Sequence, residues 1–162
     1  LFEHYQKVAE SIDALEAQIR SHAKNNEEAR RLMTIPGVGP VTASLVVASV
    51  ADIGSFASAR HFAAWLGLVP RQYSTGGKTQ LGRITKTGNR QIRMLLVLGA
   101  TSMLNRAHQW KSAAGQWMCQ LMERRPRRLA TVALANKMAR IIWALLARKE
   151  IYRPAGYSVA TA

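Results

Sequence analysis

Leu32-Met33-Thr34-Ile35-Pro36-Gly37-Val38-Gly39-Pro40-Val41-Thr42-Ala43 reads as the end of one helix, a Gly-x-Gly turn and the start of a second helix. The apolar run Ser44–Ala51 continues that second helix. Gly37 and Gly39 permit the tight turn and leave backbone N–H groups uncovered by side chains. Those groups stand at the N-terminus of the following helix, where the positive end of the helix dipole favours a phosphate. A purely structural helical hairpin has the same pattern, so charge and surroundings decide between the two.

Toward the N-terminus, Leu1, Tyr5, Val8, Ile12, Leu15 and Ile19 recur at alternating spacings of four and three, the apolar seam of a coiled coil. The seam covers about three heptads and runs out at His22. It suits pairing with another helix, in a preceding part of the protein or in a second subunit, or packing on its own domain. The chain begins inside this helical pattern, and we expect it to be cut from a longer protein.

Toward the C-terminus, Ser58 is the expected cap of a short helix through Ala63, Trp65 and Leu66 that Gly67 ends. The segment Leu68–Thr87, with Pro70, Gly76, Gly77 and Gly82, breaks the helical pattern and is expected as a long loop. It is basic through Arg71, Lys78, Arg83 and Lys86, and loops of that length are commonly functional. Thr87-Gly88-Asn89 opens a helix to about Asn105 that buries Ile92, Leu95, Leu96, Gly99 and Met103 and carries Arg90 and Arg93 in its first turns. A helix from about Trp110 to Arg124 follows, and Arg124-Arg125-Pro126-Arg127-Arg128 interrupts it. The last helix, to about Lys149, buries Leu134, Met138, Ile141, Ile142 and Leu145. Its Lys137, Arg140 and Arg148 mark another face, read as solvated, whereas the Arg-rich turn is the better candidate for phosphate contact. No stretch carries the two-residue period of a strand. The expected fold class is therefore all-α: a coiled-coil helix over 1–30, a compact helical domain over 31–153 and a disordered tail over 154–162.

The net charge of +14 is distributed unevenly. Residues 1–31 hold five Lys/Arg against six Asp/Glu, whereas residues 32–162 hold eighteen against only Asp52, Glu123 and Glu150. Such a field opposes compaction and favours a polyanion, nucleic acid being the simplest. Apolar residues come in short helical stripes, short of the ~18–20 consecutive residues of a membrane span, so no membrane partner is expected. The single Cys119 lies among Trp117, Met118, Leu121 and Met122 and reads as a structural thiol. It rules out an internal disulfide, and a cytoplasmic location is the default.

In this basic setting the Ile35–Ala43 turn resembles the helix-hairpin-helix module of DNA repair and recombination proteins, which grips the duplex backbone without reading sequence. Two-metal nucleases need several convergent carboxylates, and none lies between Asp52 and Glu123. His4, His22, His61 and His108 have no ligand spacing. The nucleophile candidates left are the hydroxyls of Ser74 and Thr75, in a Gly-rich segment whose cations could neutralise a phosphodiester. Loop serines usually cap turns, and these hydroxyls have no activating base or metal in the chain.

Three runs together resemble a known family: Ala64-Trp65-Leu66-Gly67-Leu68-Val69-Pro70, Tyr73-Ser74-Thr75-Gly76-Gly77-Lys78, and Gly82-Arg83-Ile84-Thr85-Lys86 followed by Gly88-Asn89-Arg90. They are similar to the C-terminal domain of the DEDD-type transposases of the insertion-sequence "one-ten" group, relatives of the Piv DNA invertase and of bridge-RNA-guided recombinases. The resemblance implies a preceding RuvC-like acidic domain that holds Mg2+, no cofactor in this chain, and a homo-oligomer, dimer or tetramer, assembled through the coiled coil. It implies DNA and a structured guide RNA as partners. It also maps the family's attacking serine onto Ser74, with Thr75 in reserve. From their own positions and charge, Gly37, Gly39, Arg71, Lys78, Arg83, Lys86, Arg90, Arg93, Arg124, Arg125, Arg127 and Arg128 are the expected nucleic-acid contacts. A non-catalytic binding module of a larger nuclease and an architectural protein dimerised by its coiled coil remain the alternatives.

Overall fold

A computed structural model describes residues 1–75 and 78–153, with the backbone alone for residues 74, 75, 78 and 79. The first helix, α1 (Phe2–Asn25), follows the apolar seam and continues past His22. Tyr5, Val8, Ile12 and Leu15 are exposed along it, Ile19 is half-buried and Ala23 is fully buried. Asn26 then turns the backbone to extended geometry (φ −92°, ψ 123°). Its Oδ1 accepts a hydrogen bond from the Ala29 N–H at 2.9 Å, capping α2 (Glu27–Leu32).

The Gly-x-Gly turn leads into α3 (Pro40–Ser49), which starts with Pro at a first-turn position where no N–H is needed. Gly37 has φ +82°, a conformation that side chains resist. Space makes it more stringent still, since an added Cβ would lie 3.1 Å from the Gly99 carbonyl oxygen and 2.9 Å from Met103 Sδ. Ser58 Oγ accepts from the His61 N–H at 3.3 Å and begins α4 (Ala59–Trp65). Phe56, Phe62 and Trp65 meet there with ring centroids 5.1 to 5.7 Å apart.

The segment expected as an irregular loop is instead an antiparallel hairpin of β1 (Pro70–Thr75) and β2 (Lys78–Ile84). Its register pairs Gln72 with Leu81, Ser74 with Thr79 and Thr75 with Lys78, and it is irregular between Pro70 and Gln72. The apolar alternation that marks a half-buried strand is missing because the ribbon is solvent-facing: even Tyr73 and Leu81 are 57% and 67% exposed. Tail residues 154–162, expected to be disordered, lie outside the described residues, as do Gly76 and Gly77.

Asn89 Oδ1 accepts from the Ile92 N–H at 3.0 Å and caps α5 (Arg90–Asn105). Ser112 does the same for α6 (Ala113–Arg124), so this helix starts later than Trp110. Pro126 precedes α7 (Arg127–Arg148), which lies at the centre and packs on α2, α4, α5 and α6. Leu134, Met138, Ile142 and Leu145 are buried on it as the apolar spacing predicts, with Ile92 and Leu96 of α5 and Phe62 of α4 in the same core, whereas Ile141, Leu95 and Gly99 lie at its edge and are only half-buried. Each fully buried side chain of this size contributes about 1.5–3 kcal/mol of hydrophobic stabilisation. Among the described residues, α7 is the one helix long and apolar enough to cross a membrane, and half of that window is buried inside the fold. The architecture is predominantly helical, as expected, with the hairpin as its one sheet among the described residues.

Candidate nucleic-acid interface

The hairpin grows out of a place where two backbones cross. Gly67 (φ +69°) ends α4 and Gly88 (φ +86°) precedes α5. An added Cβ would lie 2.2 Å from the Thr87 oxygen in the first case and 1.7 Å from the Trp65 oxygen in the second. The Thr85 N–H donates to the Val69 oxygen at 2.9 Å, and the Lys86 N–H donates to the Gly67 oxygen at 3.1 Å. Two side chains brace the crossing from the helices. Arg93 Nη1 donates to the Leu66 oxygen at 2.8 Å and to the Thr87 oxygen at 3.2 Å. Asn136 Nδ2, on α7, donates to the Leu68 oxygen at 3.0 Å. The root of the ribbon is therefore held rigidly, and what stands on it is positioned rather than loose.

Cations expected from the sequence are brought together in part. Arg83 and Lys86 line one groove with Arg128, although the two stretches are distant in sequence. The groove has a volume of about 850 Å³ and apolar walls from Leu68, Ile84, Leu129 and Val132. Arg124, Arg125 and Arg127 are exposed beside it at the α6–α7 turn. The first turn of α7 holds no acidic residue, so Arg127 and Arg128 add to the positive end of its dipole instead of offsetting it. Arg71 is exposed on β1, its Nη2 donating weakly to the Thr85 oxygen at 3.4 Å, and Arg90 is exposed at the start of α5. Lys78 is placed only by its backbone, opposite Thr75. Ser74 is placed in the same way, two residues beyond Gln72 on β1.

Arg93 differs from the others: it is half-buried and faces inward onto the two carbonyl oxygens of the crossing. Gly37 packs backbone to backbone on α5, whereas nothing lies within 4 Å of a Cβ placed on Gly39, so the N-terminus of α3 is open on that side. Asn136 and Arg60, which sequence reasoning did not single out, sit at the root of the hairpin. Only a three-dimensional contact could have found them.

Acidic side chains are spread apart. Asp52 Oδ1 accepts from the Gly54 N–H at 2.8 Å and caps a short turn. Among the described residues no three His, Cys, Asp or Glu side chains group as metal ligands.

The family model for the IS116/IS110/IS902 transposases matches residues 29–116, from α2 through the hairpin and α5 into α6. The chain belongs to the IS116/IS110/IS902 transposase family. A transposase for insertion sequence element IS1111A of Coxiella burnetii is 46% identical over 144 residues, covering 89% of this chain and 40% of that protein. The transposase for element IS1328 of Yersinia enterocolitica is 38% identical over 152 residues, 94% of this chain and 46% of its own length. A pilin gene-inverting protein of Moraxella bovis is 34% identical over 76 residues, 46% of this chain and 24% of that protein. The chain thus spans less than half the length of the curated transposases it matches. The family-model match ends inside α6, so α7 and its arginine turn lie beyond it.

Proposed function

We propose that the chain is the nucleic-acid-binding, serine-bearing part of a transposase that moves or inverts DNA. The observation that carries the reading is the groove in which Arg83 and Lys86 of the hairpin meet Arg128 of α7, on a chain of this transposase family. Phosphates of DNA bind the exposed cations of the hairpin and the α6–α7 turn, and the open N-terminus of α3 takes a further backbone phosphate near Gly39. A structured RNA from the mobile element is the second ligand of the same basic surface and selects the DNA.

Ser74 is the nucleophile. Its oxygen attacks a DNA phosphodiester, a phosphoserine bond forms, and the departing strand end leaves as a hydroxyl. The serine proton goes to a base outside this chain, since the carboxylates here are scattered. An acidic, magnesium-holding domain elsewhere in the protein supplies that group, and the Mg2+ ions would there polarise the phosphate and stabilise the leaving oxygen. The exposed apolar seam of α1 pairs with a second copy, so that the composite centre is completed by assembly.

The test is an adduct assay on the intact protein with its RNA, Mg2+ and labelled DNA. A denaturing gel is expected to show a protein–DNA adduct that Ser74→Ala abolishes and Thr75→Ala retains. Wild-type protein that binds DNA and forms no adduct would leave a non-catalytic binding module, the reading that the open hairpin at Gly39 favours.

A further inference from the structure

Three neighbouring cavities that share lining residues follow one another along α7. The groove at the hairpin shares Pro70 and Asn136 with a second cavity of about 380 Å³ under the root of the hairpin. That cavity shares Asn136 and Arg140 with a third, of about 560 Å³, between α7, α6 and the start of α4. Arg128 and Arg148 stand about 30 Å apart along α7 and about 160° apart around it, so the path winds around the helix.

Its charge is of one sign. Arg83, Lys86 and Arg128 line the first stretch, Arg60 and Arg140 the second, and Lys137 and Arg148 the third. Among the described residues no Asp or Glu lines any of the three, and the ion pairs found are Arg20–Glu16 and Arg31–Glu27, both elsewhere. Between the cations the walls are apolar, with Val132 and Ala133 at one end and Ile141 and Ala144 at the other. At the far end Lys137 Nζ stands 3.9 Å from the centroid of the half-buried Trp117 ring. The face of α7 read from sequence as merely solvated is therefore part of a basic, aromatic-ended trough.

We propose that this trough holds a single strand of nucleic acid, with its phosphates on the cations and a base against Trp117. The proposal rests on the nucleic-acid reading above and adds a path that the hairpin cations alone do not give. Cations distributed along an apolar floor suit a flexible polyanion whose bases are free to turn inward, and an aromatic ring accepts any base by stacking. A paired helix keeps its bases inside and has no use for an apolar floor. Lys137 covers that face of the ring, so it swings aside when a base stacks and is then placed to neutralise the adjacent phosphate.

The test uses the 162-residue chain with labelled oligo-dT, oligo-U, an abasic strand of the same length and a duplex. Arg140 and Arg148 are exposed, so the double variant Arg140→Ala/Arg148→Ala is expected to fold as the wild type does. It should bind both oligonucleotides about tenfold more weakly, with a salt slope shallower by about 1.4, two single-strand phosphates' worth. Tryptophan emission should be quenched by the oligonucleotides and not by the abasic strand, and Trp117→Phe should remove the quenching. Tighter binding of oligo-dT assigns the trough to a DNA strand, and tighter binding of oligo-U to RNA. Single-strand affinity and salt slope unchanged in the double variant, or quenching unchanged in Trp117→Phe, overturns the trough while duplex binding leaves the broader reading standing. A wild-type chain that binds none of the four probes overturns both.

Discussion

Replacing Arg93 with Met separates two roles for one cation. The side chain lies in the first turns of α5, where a phosphate contact is expected from sequence, yet its guanidinium points to the Leu66 and Thr87 oxygens at 2.8 and 3.2 Å. Met retains most of the aliphatic stem and removes only the donors. A hydrogen bond from a charged donor contributes about 1.5–3 kcal/mol, and the longer second bond adds less, so the loss should be about 2 kcal/mol. For a chain of this length that corresponds to a fall in Tm of roughly 4–8 °C, read by calorimetry. The duplex-binding salt slope should stay at the wild-type value, whereas loss of a phosphate contact would lower it by about 0.9. A variant that melts with the wild type and has the shallower slope would refute the inward assignment and return Arg93 to the interface.

Gly88→Ala should be the more damaging change. Left-handed backbone costs a side chain about 1–2 kcal/mol, and here the Trp65 oxygen must also be pushed away, so Tm should fall further than in Arg93→Met. Asn136→Ala leaves the Leu68 carbonyl without its side-chain donor at a cost of about 1–3 kcal/mol, and amide exchange at Thr85 and Lys86 should quicken as the hairpin root loosens. Ile12→Lys changes an exposed position of α1 and should shift the melting of the domain by less than about 0.5 kcal/mol. In light scattering the same substitution should lower the mass toward the monomer, and an unchanged mass would remove the seam as the site of assembly.

The helices were legible because their caps are local. Asn89 and Ser58 precede apolar-periodic runs and accept from the N–H three residues on, and the Arg-rich turn around Pro126 interrupts the two last helices where the pattern indicates. The hairpin was not legible from periodicity, because a ribbon exposed on both sides imposes no alternation on its sequence. A signal was nonetheless present: Gly76-Gly77 between Thr75 and Lys78, with Tyr73, Thr79 and Leu81 nearby, is a two-residue hairpin pattern. Of the cations singled out from the sequence, Arg71, Arg83, Lys86, Arg90, Arg124, Arg125, Arg127 and Arg128 are exposed. The turning inward of Arg93 and the joining of Arg128 to the hairpin depend on how α5 and α7 pack, which no local pattern encodes.

The exposed part of α1, from Leu1 to Leu15, is a spar about 21 Å long that leaves the domain where Glu16 and Arg20 meet Pro40 and Val41 of α3. Its length and its phase are separable quantities. Inserting seven residues would lengthen it by about 10 Å and bring the apolar line back nearly to the same side. Inserting two would lengthen it by only about 3 Å and swing that line by about 200°, to the far side of the rod. Whatever is fastened to the spar is thus set at a fixed distance and a fixed angle from the basic trough, as on a ruler that is also a dial.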